Sequence, residues 1–564
     1  MKLISAVIRL FWMPITLVAG QLFSGAAVTT GPSARSLLTQ AVLADGVVEK
    51  ERLLKELVGY EDEIVEQVLG AWRGGAVFLY ETNQSRIPFL LDTQSDTNGN
   101  AKGIRIEDGR FIELTAGSPA WFTPSELTPA DADSSLRKAI KTTLDLYSLG
   151  HANPKLKLAA IVKLGQEQNA NYLPHFQKRL QIETTPESRR ALLEAIALTR
   201  TIDSDMKTRV AAIMDLGALR SLNSISLLRT MDDSARKDPG RFDPETTRAL
   251  HHTRLTIENY MWWGNLWGTL FRGLSLSAVL LVAALGLAIT FGLMGIINMA
   301  HGEFMMIGAY TTYVTQGCFD KWFGGTALGL NTYFPVAIVA SFVVAALAGL
   351  LMERGIIQFL YRRPLESLLA TWGVSLLLQQ VFRHTFGAAN VQVSSPSWLS
   401  GSWVLSDVPL AYNRLFVVLF AASTVLGVYL LLTRTSLGLL IRAVMQNRAM
   451  ASCLGVKTSH VNMMTFALGS GLAGTAGACL SQIGNVGPSL GQSYIVDCFM
   501  VVVLGGIGNT LGTVSASLGV GVTDQILQPW LGAVMGKITV LAAIILFLQW
   551  RPAGLFATRS RSLD

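Results

Sequence analysis

Long apolar runs fill the second half of the chain and are rare in the first. From residue 261 onward, apolar stretches of about 20 residues recur, which is the length an α-helix needs to cross roughly 30 Å of hydrocarbon. The predicted spans are 270–291, 293–314, 334–352, 366–386, 414–433, 460–482, 494–527 and 536–550. Glycines interrupt 494–527, which predicts one partial and one full crossing there. The pattern therefore indicates about eight spans.

The first 27 residues form a separate, shorter pattern. Lys2 and Arg9 accompany a short apolar core, Leu10 to Gly20, and small residues follow at Ser24-Gly25-Ala26. This order predicts a secretory signal peptide over residues 1–27, and an uncleaved anchor helix is the alternative. Either one places the residues that follow outside the cytoplasm.

Between the signal and the apolar half, the sequence predicts an α-rich domain that lies outside the cytoplasm and has two regions. In the first, 35–133, helical periodicity over 35–75 gives way to short alternating runs. These runs predict a small β-meander with a turn at Asp96-Thr97-Asn98-Gly99.

The second region, 134–248, returns to helical periodicity. The segments KLAAIVKLG (157–165) and RVAAIMDLG (209–217) resemble each other, which favours stacked helical hairpins of the HEAT kind. Its last residues, 232–248, are polar and contain two prolines, so they are expected to form a linker.

Charge is divided as unevenly as hydropathy. Residues 1–260 carry 31 basic and 31 acidic side chains, so the whole net charge of +7 lies in residues 261–564. A pI of 9.2 often indicates nucleic-acid binding, but here the basic residues lie between apolar runs, which is typical of a membrane protein. With 50% hydrophobic and 15% charged residues, the composition excludes an ordinary soluble enzyme and a disordered chain.

The loops between the spans predict the orientation. Basic residues are more numerous on one side, which the positive-inside rule makes cytoplasmic. The C-terminus is then cytoplasmic and the domain before residue 260 lies outside, in agreement with the signal peptide. The basic residues of the cytoplasmic side are Arg354, Arg362, Arg363, Arg434, Arg442, Arg448, Lys457, Arg551, Arg559 and Arg561; those near the other side are Arg272, Lys321, Arg383, Arg414 and Lys537.

The sequence does not predict an enzyme. The zinc-protease pattern HExxH is absent, and no GxGxxG follows a predicted strand. Gly532 to Lys537 imitates a phosphate loop, but three residues separate its glycines instead of four, and Ile538 replaces the Ser or Thr that would hold magnesium. No cofactor is therefore expected on this chain, and ATP-driven work would come from other chains. The four cysteines lack CxxC spacing, so neither a metal site nor a disulfide framework is expected.

Polar residues inside the predicted spans are the candidates for a solute path, because burying them in hydrocarbon is costly unless they face protein or water. The first cluster runs from Asn298 to Glu303 and includes His301. A helix broken at mid-membrane is a common way to build a solute site, and a buried network that only fixes helix packing is the alternative. On the fourth span, Thr371, Trp372 and Gln379 are expected to line a polar path, although Trp372 also suits lipid or the core.

A second cluster surrounds the interrupted span. A Pro/Gly-rich entry at Val486-Gly487-Pro488 and a Gly-rich break at 505–512 bracket a short apolar run, which predicts a re-entrant or discontinuous helix. Asp497 and Asp524 are its acidic members. Pore lining and structural pairing are both open for them.

A basic amphipathic segment, Ser436 to Lys457, lies between two spans on the predicted cytoplasmic side. Two interpretations are open for it: a helix on anionic lipid, or a short helix that fits a groove on a partner protein.

Five segments in a fixed order resemble one family. They are GLMGIINMAHGEFMMIGAY (292–310), LATWGVSLLLQQ (369–380), RAVMQNRAMASCLGV (442–456), VGPSLGQSYIVDCFMVVVLGGIGNTLG (486–512) and RPAGLF (551–556). Together they are similar to permeases of the branched-chain amino-acid class of ABC importers. Within that class, the long extension before the spans, NMAHGEFMMIGAYTTYV and ATWGVSL resemble the urea-transport permease subunit.

The resemblance implies a polytopic helical permease in the bacterial inner membrane. A periplasmic binding protein would deliver the solute, a second permease would pair with this chain, and two cytoplasmic ATPases would drive alternating access. Contact with an ATPase then becomes the favoured role for residues 436–457. The residues expected to make this contact are Arg442, Gln446, Asn447, Arg448, Leu454 and Gly455.

The resemblance makes urea the expected cargo, with branched-chain amino acids or short amides as the alternative. A path lined by Asn298, Glu303 and Thr371 could satisfy a small neutral solute by hydrogen bonding. A membrane sensor is disfavoured, because the 14 residues after Trp550 are too few for an output domain. For the outer domain, docking of the binding protein and a role in assembly are both open.

Overall fold

The computed structural model describes residues 33–60, 62–82, 85–96, 100–114, 118–238, 240–324, 326–361 and 363–556. The predicted signal peptide, residues 97–99 of the predicted turn, and Arg362, Arg559 and Arg561 lie outside them. The chain divides into two compact units, Met1–Glu258 (unit 1) and Asn259–Asp564 (unit 2). The described residues are mainly helical with a small antiparallel sheet near the N-terminus, which confirms the predicted fold class.

Unit 1 begins with four helices around a common apolar core. Leu38, Leu54, Trp72 and Ile140 are fully buried in it. Three of the helices begin where the sequence supplies a capping side chain, since the oxygens of Ser33, Asp62 and Asp133 accept first-turn N–H groups. The helices are α1 (Ala34–Leu43), α2 (Val47–Glu56), α3 (Glu63–Arg73) and α4 (Ser134–Tyr147).

The predicted β-meander lies between α3 and α4. Four antiparallel strands follow the order β1-β2-β3-β6, and β4 pairs with β5. Phe89 is fully buried and its ring lies 4.8 Å from that of Phe122. The strands are β1 (Val77–Thr82), β2 (Ser85–Ser95), β3 (Ala101–Arg105), β4 (Glu113–Leu114), β5 (Ser118–Pro119) and β6 (Trp121–Phe122).

Five further helices complete most of unit 1. The two similar segments fall in α5 and α8, and each ends in a glycine in close contact with a later helix. A Cβ on Gly165 would lie 2.8 Å from that of Ala195, and one on Gly217 would lie 3.2 Å from the Thr253 methyl carbon. The HEAT-type organisation of 134–248 stays a prediction. The helices are α5 (Pro154–Gln166), α6 (Leu173–Ile182), α7 (Pro186–Arg200), α8 (Met206–Ala218) and α9 (Ile225–Lys237).

The linker predicted over 232–248 is wrong for most of its length. Helix α9 continues to Lys237 and α10 begins at Pro244, so only residues 238–243 separate them. The reason is charge pairing, because the Asp232 carboxylate is buried and lies 2.9 Å from the Arg254 guanidinium and 3.2 Å from that of Arg236. Polar composition here reflects ion pairs within a folded unit.

Glu183 gives unit 1 a predicted pH dependence. Burial raises the pKa of its carboxyl, but hydrogen bonds from Thr185 and the Lys157 ammonium outweigh burial and lower that pKa to about 2. An unfolded Glu titrates near pH 4.3, so the ionised carboxylate stabilises the fold above that pH. We expect this stability to be lost as the pH falls from about 4.5 toward 2. Hydrogen exchange of α5–α7 peptides in the full chain, read by mass spectrometry at pH 6 and pH 3, measures it.

The isosteric variant Glu183→Gln is the control for this experiment. It should exchange faster than wild type at pH 6, and the difference between the two proteins should be smaller at pH 3. Equal exchange of the two proteins at pH 6 would contradict a stabilising role for the carboxylate.

Unit 2 contains ten helices that lie wholly or mostly within it and one β-hairpin among its described residues. They are α10 (Pro244–Met294), α11 (His301–Phe323), α12 (Ala327–Gly355), α13 (Pro364–Phe386), β7 (Ser402–Leu405), β8 (Val408–Ala411), α14 (Tyr412–Arg434), α15 (Ser436–Gln446), α16 (Arg448–Cys453), α17 (Thr458–Leu480), α18 (Leu490–Gly505) and α19 (Thr510–Trp550). Within the described part of the chain, six helices are long and apolar enough to cross a membrane: α10, α12, α13, α14, α17 and α19.

The count is roughly compatible with the predicted eight spans. Helix α19 has 41 residues, about 60 Å of helix, and its backbone breaks at Gly532 (φ 80°, ψ 165°). It is therefore long enough for two crossings. Helix α18 has 16 residues and suits the predicted partial crossing.

Close backbone contacts hold α11, α12 and α17 together. Gly469, Ala473 and Gly477 are spaced by four residues on one face of α17 and are buried, and a Cβ on Gly477 would overlap the Met305 carbonyl oxygen of α11. Lipid tails are as apolar as leucine, so membrane helices associate by such close approach. This three-helix contact positions the start of α11, where the candidate site lies.

Candidate functional site

The chain leaves helical geometry between α10 and α11. Helix α10 ends at Met294, and Gly295 adopts φ 65°, a left-handed conformation that glycine tolerates. Residues 295–300 are not in an α-helix, so the span predicted over 293–314 does not run unbroken from its first residue. The Asn298 Oδ1 accepts the Ala300 N–H at 3.0 Å and satisfies a buried backbone donor at this break.

A polar stripe on α13 lies against the break. Thr371, Ser375 and Gln379 are spaced by four residues, so they share one helix face, and all three are at most 6% exposed. The Met299 N–H donates to Thr371 Oγ1 at 3.1 Å. The Ser375 hydroxyl and the Gln379 amide donate to Glu303 Oε1 at 2.8 and 2.9 Å.

Two polar atoms in this cluster have no hydrogen-bond partner among the described residues. They are Glu303 Oε2, an acceptor, and Asn298 Nδ2, a donor. Both side chains are at most 2% exposed, and unmet buried polar groups of this kind are rare in native proteins. The cluster thus offers one free acceptor and one free donor.

The start of α18 lies against the start of α11. A Cβ on Gly491 would lie 2.8 Å from the Glu303 backbone nitrogen, and one on Gly302 would lie 3.1 Å from the Cβ of Ile495. The described residues provide no side-chain cap for either helix. The structure therefore brings two helix N-termini together beside the polar cluster.

Four of the predicted site residues do not join this cluster: His301, Trp372, Asp497 and Asp524. His301 is buried, and its Nε2 lies 2.9 Å from the Ala283 carbonyl oxygen, so it ties α11 to α10. Trp372 is 50% exposed and lies off the polar stripe, and its place on a solute path stays a prediction. Ser375 was missed, although its position midway between Thr371 and Gln379 was a usable signal.

Asp497 and Asp524 form a separate charged cluster with Lys537. The Lys537 ammonium lies 2.9 Å from Asp497 Oδ2, and the Gln528 amide donates to Asp524 Oδ2 at 2.8 Å. Both carboxylates are buried and line a small cavity with Lys537. The sequence predicts Lys537 near the outer side of the membrane, and the structure pairs it with a buried acid.

Comparison with known proteins places unit 2 in a family. The family described as "Branched-chain amino acid transport system / permease component" matches residues 269–548. The "High-affinity branched-chain amino acid transport system permease protein LivH" of Salmonella typhimurium (strain LT2) is 27% identical over 299 residues, which cover 51% of this chain and 94% of that protein. The "High-affinity branched-chain amino acid transport system permease protein BraD" of Pseudomonas aeruginosa is 26% identical over 298 residues, which also cover 51% of this chain and 94% of that protein.

A third relative is more similar over a shorter stretch. The "Autoinducer 2 import system permease protein LsrC" of Enterobacter sp. (strain 638) is 30% identical over 243 residues, which cover 41% of this chain and 68% of that protein. The chain belongs to this permease family. Like these relatives, it is a transport subunit and not an enzyme. No solved structure matches the permease.

The letters GxSxG occur in the permease at Gly487 to Gly491 but lack the context of a hydrolase. A nucleophile elbow places its serine between a strand and a helix. Here Ser489 precedes α18 and follows α17, and Val486 makes only an isolated bridge to Val391. The GxSxG pattern at Gly487 to Gly491 is therefore a coincidence of sequence and does not indicate a hydrolase site.

The predicted coupling segment forms two short helices. Thr435 caps α15 and Asn447 caps α16, and Gly455 (φ 87°) ends the pair. All six candidate residues, Arg442, Gln446, Asn447, Arg448, Leu454 and Gly455, are exposed. The Arg448 guanidinium lies 5.1 Å from the ring centre of Tyr361, which fixes α16 to the rest of unit 2.

Removing the Lys537 ammonium is expected to destabilise the permease. In Lys537→Met the Asp497 carboxylate would stay buried without its counter-charge, which costs about 1–3 kcal/mol. We expect a lower Tm in detergent, and a partial recovery in the double variant Asp497→Asn with Lys537→Met. A single variant as stable as wild type would show that the ion pair contributes nothing.

Proposed function

We propose that this permease is the membrane subunit of an ATP-driven importer that conducts urea. A periplasmic binding protein delivers the solute, a second permease pairs with unit 2, and cytoplasmic ATPases supply the energy. Unit 1 lies in the periplasm and the C-terminus in the cytoplasm of the bacterial cell, which agrees with the distribution of basic residues between the spans.

The Glu303 cluster is the observation that supports a small neutral cargo. The carboxylate is held by two uncharged donors, Ser375 and Gln379, and it forms no ion pair with the described residues. Urea offers one carbonyl oxygen and four N–H donors, which match a site with unmet donors and acceptors. The long unit 1 adds support. The match to unit 2 covers 94% of LivH, so LivH has almost no residues left that could form a counterpart of unit 1.

Branched-chain amino acids are the second candidate cargo. The printed names of LivH and BraD assign this transport to those relatives. A zwitterion would place its ammonium near Glu303 and its carboxylate near the helix N-termini.

Uptake decides between the two cargoes. Cells with and without this chain are given labelled urea or labelled leucine at micromolar concentrations. Loss of urea uptake alone supports the proposal. Loss of leucine uptake with urea uptake intact overturns the urea assignment and keeps the importer.

A further inference from the structure

The two helix starts that meet beside the polar cluster share a local pattern. Helix α11 begins His301-Gly302-Glu303 and α18 begins Leu490-Gly491-Gln492, so each has glycine at its second position and Glu or Gln at its third. The two glycines face each other, and a Cβ on either one would overlap the other's backbone. The pattern therefore brings two helix N-termini within contact distance.

Helix N-termini carry partial positive charge and first-turn N–H groups without helical acceptors. Most helices satisfy some of these donors with a capping side chain, but the described residues provide none for α11 or α18. A negatively polarised oxygen is the natural partner for such a junction.

The two unmatched side-chain atoms belong to residues on either side of the start of α11 and supply independent evidence for a ligand. Asn298 Oδ1 is bonded to the nitrogen of Ala300, the residue before α11, so the Nδ2 of the same amide lies at the helix start. Glu303 is in the first turn of α11, and its Oε1 is held by α13 while its Oε2 is not bonded. A free donor and a free acceptor therefore flank the junction.

We infer that the α11–α18 junction binds a small solute that presents a carbonyl or carboxylate oxygen beside an N–H group. The oxygen accepts from Asn298 Nδ2 and lies in the positive field of the two helix starts. The solute N–H donates to Glu303 Oε2. This inference rests on the proposed importer function but not on the choice of cargo, since urea and an amino acid both carry this pair of groups.

The burial of the site fits a step of alternating access. Asn298, Glu303, Ser375 and Gln379 are all at most 6% exposed, so this conformation closes the junction to solvent. The solute would reach it when the helices of the permease rearrange.

The test measures how much solute is imported for each ATP hydrolysed by the complete importer in proteoliposomes. Two nearly isosteric variants each remove one unmatched atom: Asn298→Asp replaces the donor, and Glu303→Gln replaces the acceptor. Thr312→Val is the control, because Thr312 is a fully buried hydroxyl on α11 that bonds Gly308 and Ser341 away from the junction.

We expect each site variant to assemble with the ATPases and to import at least tenfold less solute per ATP, with the control within twofold of wild type. Wild-type ratios in both site variants would overturn the site. Failure of both to assemble, while the control assembles, would assign the two groups to packing and also overturn it.

Labelled urea and labelled leucine are measured in parallel, so the site and the cargo are judged separately. If wild type imports leucine alone and the variants lose it, the site stands and the urea proposal fails. If wild type imports urea and both variants keep it, the cargo stands and the site fails.

Discussion

Replacing Gly477 by leucine is expected to remove nearly all correctly folded permease from the membrane. A Cβ at this position of α17 would overlap the Met305 carbonyl oxygen, which belongs to the backbone of α11 and cannot rotate away. The two helices would have to separate, and the loss of their packing is expected to cost roughly 3 kcal/mol or more. Fluorescence-detected size-exclusion chromatography of the extracted protein measures the monodisperse fraction, which should fall at least tenfold.

Gly427→Leu is the matched control for this prediction. Gly427 lies in α14, and no other described atom comes within 4 Å of a Cβ built on it, apart from its own helix and chain neighbours. The same side chain should therefore be accepted there with a nearly unchanged yield. Equal yields from the Gly477 and Gly427 variants would show that the close contact between α11 and α17 is not needed.

The second large effect is expected at the coupling segment. Leu454 follows α16 and is 78% exposed, so in the full importer it is available to enter an apolar groove on an ATPase subunit. In Leu454→Asp a charge would enter that groove without a partner, and we expect ATPase stimulation by the loaded binding protein to fall at least tenfold. Its high exposure means that folding of this chain should not change.

Leu454→Met keeps the apolar surface and should retain most of the stimulation. The Tm of the isolated permease should be the same for both variants, which separates a lost contact from a lost fold. If Leu454→Asp is stimulated like wild type, the segment lies on lipid or elsewhere, and the docking role is wrong.

The sequence predicted some elements well because their signals are local. Runs of apolar residues near 20 in length define membrane helices by the thickness of hydrocarbon alone, and α12, α14 and α17 lie where these runs predict. Caps at Ser33, Asp62 and Asp133 begin helices through bonds that span three residues. The prediction of a linker over 232–248 was wrong because Asp232 pairs with Arg254. Local sequence patterns do not reveal this pair and suggest that both side chains are solvated.

The candidate site shows the same division. Asn298, Glu303 and Thr371 could be selected from the sequence, because a polar residue in an apolar span needs an explanation wherever it lies. The sequence could not predict that these residues lie together, since this depends on which face of α13 turns toward α11. That rotation turns Trp372 away from the cluster and brings Ser375 into it. In the sequence, Ser375 is no more conspicuous than any other serine.

The sequence by itself determined that this protein is a polytopic helical membrane protein with a separate polar unit before it, because hydrophobic length and charge distribution act residue by residue. Only the tertiary structure decided that the starts of α11 and α18 meet at Gly302 and Gly491, nearly 190 positions apart in the chain. Contacts of that kind depend on backbone approach between distant segments. A glycine in the sequence permits such an approach but does not identify its partner.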